Sequence, residues 1–124
     1  MELLDIENII LFHKKIVSKT GGSEGIRDLG LIESALNRAL MTFDGKELYE
    51  SPEMKIYVIA YGLISNHGFV DGNKRIGIAV MILLLKMNAI MITYIQQELI
   101  VLGLAVAEGK FKEKDILEWI ERHK

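Results

Sequence analysis

Nine consecutive residues hold most of the chemistry in this chain: His67-Gly68-Phe69-Val70-Asp71-Gly72-Asn73-Lys74-Arg75. His67 offers an imidazole, a base that can take a proton from a hydroxyl. Asp71 offers a hard carboxylate oxygen, the kind of ligand magnesium takes when it is shared with phosphate groups. Gly72 has no Cβ, so a ligand can come close to its backbone. Asn73 adds an amide donor. Lys74 and Arg75 add positive charge, and a guanidinium can grip phosphate oxygens as a fork. The segment lies where one apolar helix stops and another starts. A helix start carries unpaired N–H groups and a partial positive charge, which suit phosphate. Base, metal ligand and phosphate cradle in one stretch describe phosphoryl or nucleotidyl transfer. Taken singly, each residue has a plainer role: a structural histidine, a capping aspartate, a solvated Lys-Arg pair. Phe69 is read as a plug that anchors the loop in the core, because a fixed site needs an anchor. The case for chemistry is that all of them share one turn-to-helix transition.

The elements that must position this segment follow from apolar spacing. One proline in 124 residues and long apolar runs at helical intervals predict an all-α, compact single-domain bundle of about six helices over 1–124, with a buried central helix. The first helix is expected over Ile6 to Lys19, capped by Asp5, with Ile6, Ile9, Ile10, His13, Ile16 and Val17 on one face. Gly21-Gly22 ends it. The loop Thr20 to Gly25 is short and reads as a connection. Asp28 caps a second helix with Leu31, Ile32, Ala35, Leu36, Ala39 and Leu40 inward. Phe43-Asp44-Gly45-Lys46 reads as a turn, and Ser51-Pro52 as a cap followed by proline at the first helical position. A third helix runs to about Asn66. Asp71 is expected to cap a fourth over Gly72 to Met87, apolar nearly all round and therefore in the middle of the domain. Asn88 is expected to close it in left-handed geometry. Ile90 to Tyr94 reads as an extended connector, Ile95 to Glu108 as a fifth helix, and Ile116, Leu117 and Ile120 as the inner face of a sixth, with Trp119 flanking.

The motif His-x-Phe-x-Asp-Gly-Asn-Lys-Arg resembles the core motif of the Fic/Doc superfamily, and Lys74 makes it similar to the Doc (death-on-curing) branch. The likeness extends to Gly21-Gly22, to Gly25 through Leu36, and to Ala107-Glu108-Gly109 before a tryptophan-containing helix. The resemblance implies a toxin of a toxin–antitoxin pair that transfers the γ-phosphate of ATP to a Ser/Thr hydroxyl of a protein, elongation factor Tu in the family. It implies His67 as the base, Asp71 as the Mg²⁺ ligand, and Gly72, Asn73, Lys74 and Arg75 as the ATP phosphate site. Fic relatives instead transfer AMP. They typically have Gly where this chain has Lys74, and a second Arg where it has Ile78. By that analogy the nucleotide here presents its γ-phosphorus, with AMP transfer as the alternative. A non-catalytic nucleotide- or antitoxin-binding module is a further alternative, because Gly68 stands where many relatives have Pro, and Ser65 where many have a basic residue. Gly68 predicts a looser loop. Thr20-x-x-x-Glu24-Gly25 matches a pattern by which some Fic proteins inhibit themselves from a helix, but two glycines interrupt it and it reads as a loop. Inhibition by a separate Phd-like antitoxin, its C-terminal segment laid as a helix in an apolar groove, is the expected control.

Composition narrows the rest. Fifteen Lys and Arg against seventeen Asp and Glu give a net charge of −2, which argues against a direct nucleic-acid binder. No cysteine is present, so disulfide, thiolate-metal and thiol chemistry are excluded. The longest apolar run, Ile76 to Leu85, is short of the ~20 residues of a membrane span. The first five residues do not resemble the start of a signal peptide, and a cytoplasmic protein is expected.

Overall fold

The computed structural model describes all 124 residues. It contains six helices, α1 (Ile6–Thr20), α2 (Leu29–Arg38), α3 (Pro52–Ser65), α4 (Asn73–Met87), α5 (Gln96–Ala107) and α6 (Glu113–Arg122). A two-stranded antiparallel hairpin, β1 (Thr42–Phe43) and β2 (Lys46–Glu47), lies between α2 and α3. The chain is therefore all-α apart from that hairpin, as expected. No helix is long and apolar enough to cross a membrane.

Three of the helix starts follow their local chemistry. The side chains of Asp5, Asp28 and Ser51 accept from the N–H groups of Asn8, Leu31 and Met54, the usual N-cap bond. In α5 and α6 a carboxylate in the first turn reaches back instead: Glu98 accepts from Ile95 N–H and Asp115 from Lys112 N–H. Asp44 and Gly45 both have positive φ, which matches a type I′ hairpin turn. The residue types mark this turn but not its strands, since two residues a side carry no periodic signal.

The core is built around α3. Nine of its fourteen residues are buried, and it packs against α2, α4, α5 and α6. Gly62 and Gly77 allow the closest approaches. A Cβ on Gly62 would stand 2.7 Å from that of Ala35 in α2, and one on Gly77 would collide with Ile64 of α3. The helix expected in the middle, α4, is more open: six of fifteen residues are buried, while Ile78, Ala79, Ile82 and Leu83 are only half-buried. Their flank forms one wall of a groove, described below.

Four local expectations are corrected. Asp71 does not cap α4: Gly72 does, in left-handed geometry and without a side-chain bond. Leu40 is exposed because α2 ends at Arg38 and its helical stripe does not extend that far. Asn88 has φ −102°, and Ala89 takes the left-handed turn at φ 57°. The Asn88 side chain instead bonds both backbone groups of Glu2 and the Leu84 carbonyl, tying the N-terminal segment to the end of α4. Trp119 is part of the core rather than beside it. His123 stacks on Trp119 at 3.8 Å, with Nδ1 2.6 Å from the Trp119 carbonyl oxygen and Nε2 2.6 Å from Glu98 Oε2, and so fastens the end of α6 to the start of α5.

Candidate active site

The site lies in the turn between α3 and α4. The α3 C-cap is Asn66, and His67 follows it with φ 53°. This position usually holds glycine, because a side chain there costs roughly 1–2 kcal/mol. Asp44 and Ala89 are the other non-glycine residues with positive φ, and His67 takes this backbone at the end of α3. Its side chain is exposed. Arg27 holds the bend: Nε donates to the His67 carbonyl at 2.7 Å and Nη2 to the Asn66 carbonyl at 3.3 Å.

The next residues are pinned from several sides. The Gly68 carbonyl accepts from the N–H groups of Arg27 and Asp28, and Val70 N–H donates to Gly25, so Ile26 and Phe69 form a short antiparallel bridge. Gly68 lies so close to α2 that a Cβ would stand 2.5 Å from Ile32 Cγ1. The loop is thus held without proline, by backbone bonds and by close packing that excludes a side chain. Phe69 is 1% exposed and sits in the core, which is the anchor role expected of it. Asn73 closes the loop: Oδ1 accepts from Phe69 N–H and Nδ2 donates to the Phe69 carbonyl. Its amide is therefore engaged within the protein.

Asp71, Gly72, Lys74 and Arg75 meet at the start of α4. The Asp71 carboxylate accepts from Gly72 N–H at 2.8 Å and from Ser23 N–H at 3.2 Å. These two bonds, Ser23 first, hold its carboxyl below the usual carboxylate range. Arg75 donates to Thr20 Oγ1 at 2.5 Å and to the Gly21 carbonyl at 2.6 Å, and approaches Asp71 at 3.7 Å. Gly22 is pressed against both: a Cβ on it would stand 2.6 Å from Asp71 Oδ2 and 2.9 Å from Arg75 Nη2. Lys74 is exposed and belongs to none of the ion pairs in the chain. The N–H groups of Asn73, Lys74 and Arg75 meet no acceptor in the protein, so α4 alone begins with neither kind of cap. Uncapped N–H groups, a lysine and an arginine at one helix start form a cradle of the kind that suits an anion.

A model of the Fic/DOC family matches residues 3–85. This chain belongs to the Fic/DOC family. A Doc toxin of Mycolicibacterium smegmatis (strain ATCC 700084 / mc(2)155) is 38% identical to it over 55 residues, which cover 44% of this chain and 42% of that toxin. The family match includes α1 to α3, the loop and nearly all of α4, so it takes in every residue of the site between α3 and α4. Helices α5 and α6 lie beyond it.

As a metal centre, the Fic/DOC site is lean. No three His, Cys, Asp or Glu side chains converge anywhere in the chain. A single partly exposed carboxylate suits an ion that arrives bound to phosphates and keeps much of its water, not a resident metal. The one carboxylate, Asp71, is compatible with a magnesium ion carried by phosphate groups. Three structural partners of the site escaped the sequence reading: His13, Arg27 and the Gly22-Ser23 backbone. Of these, only His13 left a signal, as the lone polar residue on the apolar stripe of α1.

From the cradle runs a groove of about 680 Å³ between α1, α4 and α5. Lys74, Arg75 and Thr20 lie among its polar lining, and Phe12, Ile16, Ile78, Ile82, Leu99 and Ile100 among its apolar lining.

Proposed function

We propose that this chain is a Doc-type toxin that transfers the γ-phosphate of Mg-ATP to a Ser/Thr hydroxyl of a protein target, with elongation factor Tu the target expected from the family resemblance. The observation that carries the reading is the uncapped start of α4, with Lys74 and Arg75 in its first turn and an exposed imidazole just before the anchored loop. In this reading His67 accepts the proton of the target hydroxyl while its oxygen forms a bond to the γ-phosphorus. The bond from that phosphorus to the bridging oxygen breaks, and ADP leaves. Asp71 is the carboxylate toward the magnesium ion carried by the nucleotide, which neutralises phosphate charge. The first-turn N–H groups, Lys74 and Arg75 stabilise the charge on the phosphates during transfer. Gly72 keeps the backbone accessible, and Asn73 contributes by holding the loop.

Incubation with elongation factor Tu and ATP labelled at the α or the γ position tests this directly. Label transferred only from the γ position is expected. Transfer only from the α position would establish AMP transfer instead, and nucleotide binding without transfer would leave a binding module. Exchange of Lys74 for Gly is expected to weaken γ transfer.

The groove supplies the second half of the proposal. It is mostly apolar and opens beside Lys74 and Arg75, a setting suited to one face of an amphipathic helix. A Phd-like antitoxin segment laid there would block the cradle at Lys74 and Arg75. A peptide of such an antitoxin is expected to suppress both transfer and nucleotide binding, and Ile82→Glu is expected to abolish that suppression.

A further inference from the structure

His13 is the one histidine that is fully enclosed, at 2% exposure, and it lies on α1, 58 residues before the polar atom it touches. Its ring stacks on Phe69 with centroids 3.8 Å apart and planes 12° from parallel. Its Nε2 is 2.7 Å from the Asp71 carbonyl oxygen. A carbonyl only accepts, so Nε2 carries the hydrogen. The same nitrogen would be 3.3 Å from a Cβ on Gly72, which places the imidazole directly behind the first residue of the cradle.

The peptide between Asp71 and Gly72 needs such a hold. Gly72 has φ 77°, and glycine accepts positive and negative φ about equally. A peptide plane before glycine in a turn can therefore take two orientations, as in paired turn types. In a trans peptide the C=O and N–H point to opposite sides, and this chain has no cis bonds. With the Asp71 carbonyl turned inward to His13, the Gly72 N–H points outward. There it already meets an anionic oxygen, Asp71 Oδ1. The flipped plane would aim a carbonyl dipole at the cradle and bury the N–H against His13.

We propose that His13 is a positioning residue that selects the orientation of the Asp71–Gly72 peptide, so that the start of α4 presents donors and not an acceptor to an incoming phosphate. The proposal rests on the reading of that helix start as an anion cradle. Its core, the orientation of one peptide, is testable without any ligand.

The test uses the full chain, labelled with ¹⁵N at histidine and glycine. In the wild type, long-range proton–nitrogen spectra are expected to show His13 protonated at Nε2; protonation at Nδ1 alone overturns the proposal. His13→Phe keeps the stack on Phe69 but lacks the donor, whereas His13→Gln offers an amide N–H at nearly the same reach. The Gly72 amide signal is expected to move or double in the Phe variant and to return toward its wild-type position in the Gln variant. Inorganic pyrophosphate is expected to bind roughly three- to tenfold more weakly to the Phe variant, the size of one lost hydrogen bond, with most of the affinity restored by Gln. A Phe variant with an unmoved Gly72 signal overturns the proposal. If pyrophosphate binds to none of the proteins, the cradle reading fails, and the tautomer and the Gly72 signal still decide the role of His13. Should the Phe variant fail to fold, the wild-type tautomer and the Gln variant decide it: a wild-type-like Gly72 signal with Gln supports the proposal, and a displaced one overturns it.

Discussion

Helices α3 and α4 are both strongly apolar, follow one another in the chain and pack together, yet they are completed in different ways. The start of α3 is satisfied by the protein, through Ser51 on the Met54 N–H and proline in the first turn. Its sides are covered by four other helices. The start of α4 is a bare glycine, its first N–H groups lack partners, and its Ile78–Leu83 flank lines an open groove. The difference teaches that apolar character alone does not decide whether a helix is core. What matters is whether each face and each end is met by another part of the same chain. Helix α3 holds the fold together. Helix α4 shares that work along one side, while its start and opposite flank are not covered by the rest of the chain.

The sharpest way to break this contrast is at the bend between the two helices. His67→Gly is expected to lower transfer by about 10²–10⁴-fold, the usual contribution of a general base. It should also raise stability by up to about 1 kcal/mol, since glycine relieves the left-handed backbone. Thermal unfolding and label transfer would then move in opposite directions. A stability loss would argue that the bend is not strained.

Next in size is a pair of core truncations. Ile59→Ala in α3 removes a side chain that is 1% exposed and is expected to cost about 2–5 kcal/mol. Ile82→Ala on the open flank of α4 is expected to cost about 1 kcal/mol or less, because much of the side chain already faces the groove. Urea denaturation measures both, and equal costs would show that α4 is sealed like α3.

The helix starts provide a finer comparison. Ser51→Ala removes the cap of α3 and is expected to cost about 1 kcal/mol. Lys74→Ala in the first turn of α4 is expected to change stability by no more than about 0.5 kcal/mol, while weakening nucleotide binding. A large stability loss at Lys74 would mean that this charge serves the fold.

The smallest effect concerns pH. The Asp71 carboxyl is held below its ordinary range by Ser23 and Gly72, so the folded chain binds its proton less readily than the unfolded chain does. The link from Asp71 to Ser23 is therefore complete above about pH 3.9 and is lost as pH falls through the lower, folded value. Amide signals of Ser23 and Gly72 are expected to shift together only in that acidic window. Movement centred near neutral pH would point to another titrating group.

Much of the fold could be read from one dimension, because helix signals are local. Spacing of apolar residues, caps at Asp5, Asp28 and Ser51, and stops at Gly21 and Gly109 all act within one or two turns. Six helices and their approximate bounds follow from them, and the residue types from His67 to Arg75 carry the family resemblance. Local rules failed where a distant partner competed. Asp71 gave up the cap because Ser23, 48 residues earlier, offers its carboxylate an N–H. Asn88 was drawn to Glu2, 86 residues away. His13, on α1, meets the Asp71 carbonyl 58 residues away.

The sequence by itself therefore determined which residues could carry a phosphate reaction and which stretches coil into helices. Only the tertiary structure decided which helix is enclosed, which donors remain free at the start of α4, and which buried imidazole stands behind them. The reason is that periodicity and capping depend on neighbours a few residues apart. Burial and hydrogen-bond partnership at the site depend on groups that meet only after the helices have packed.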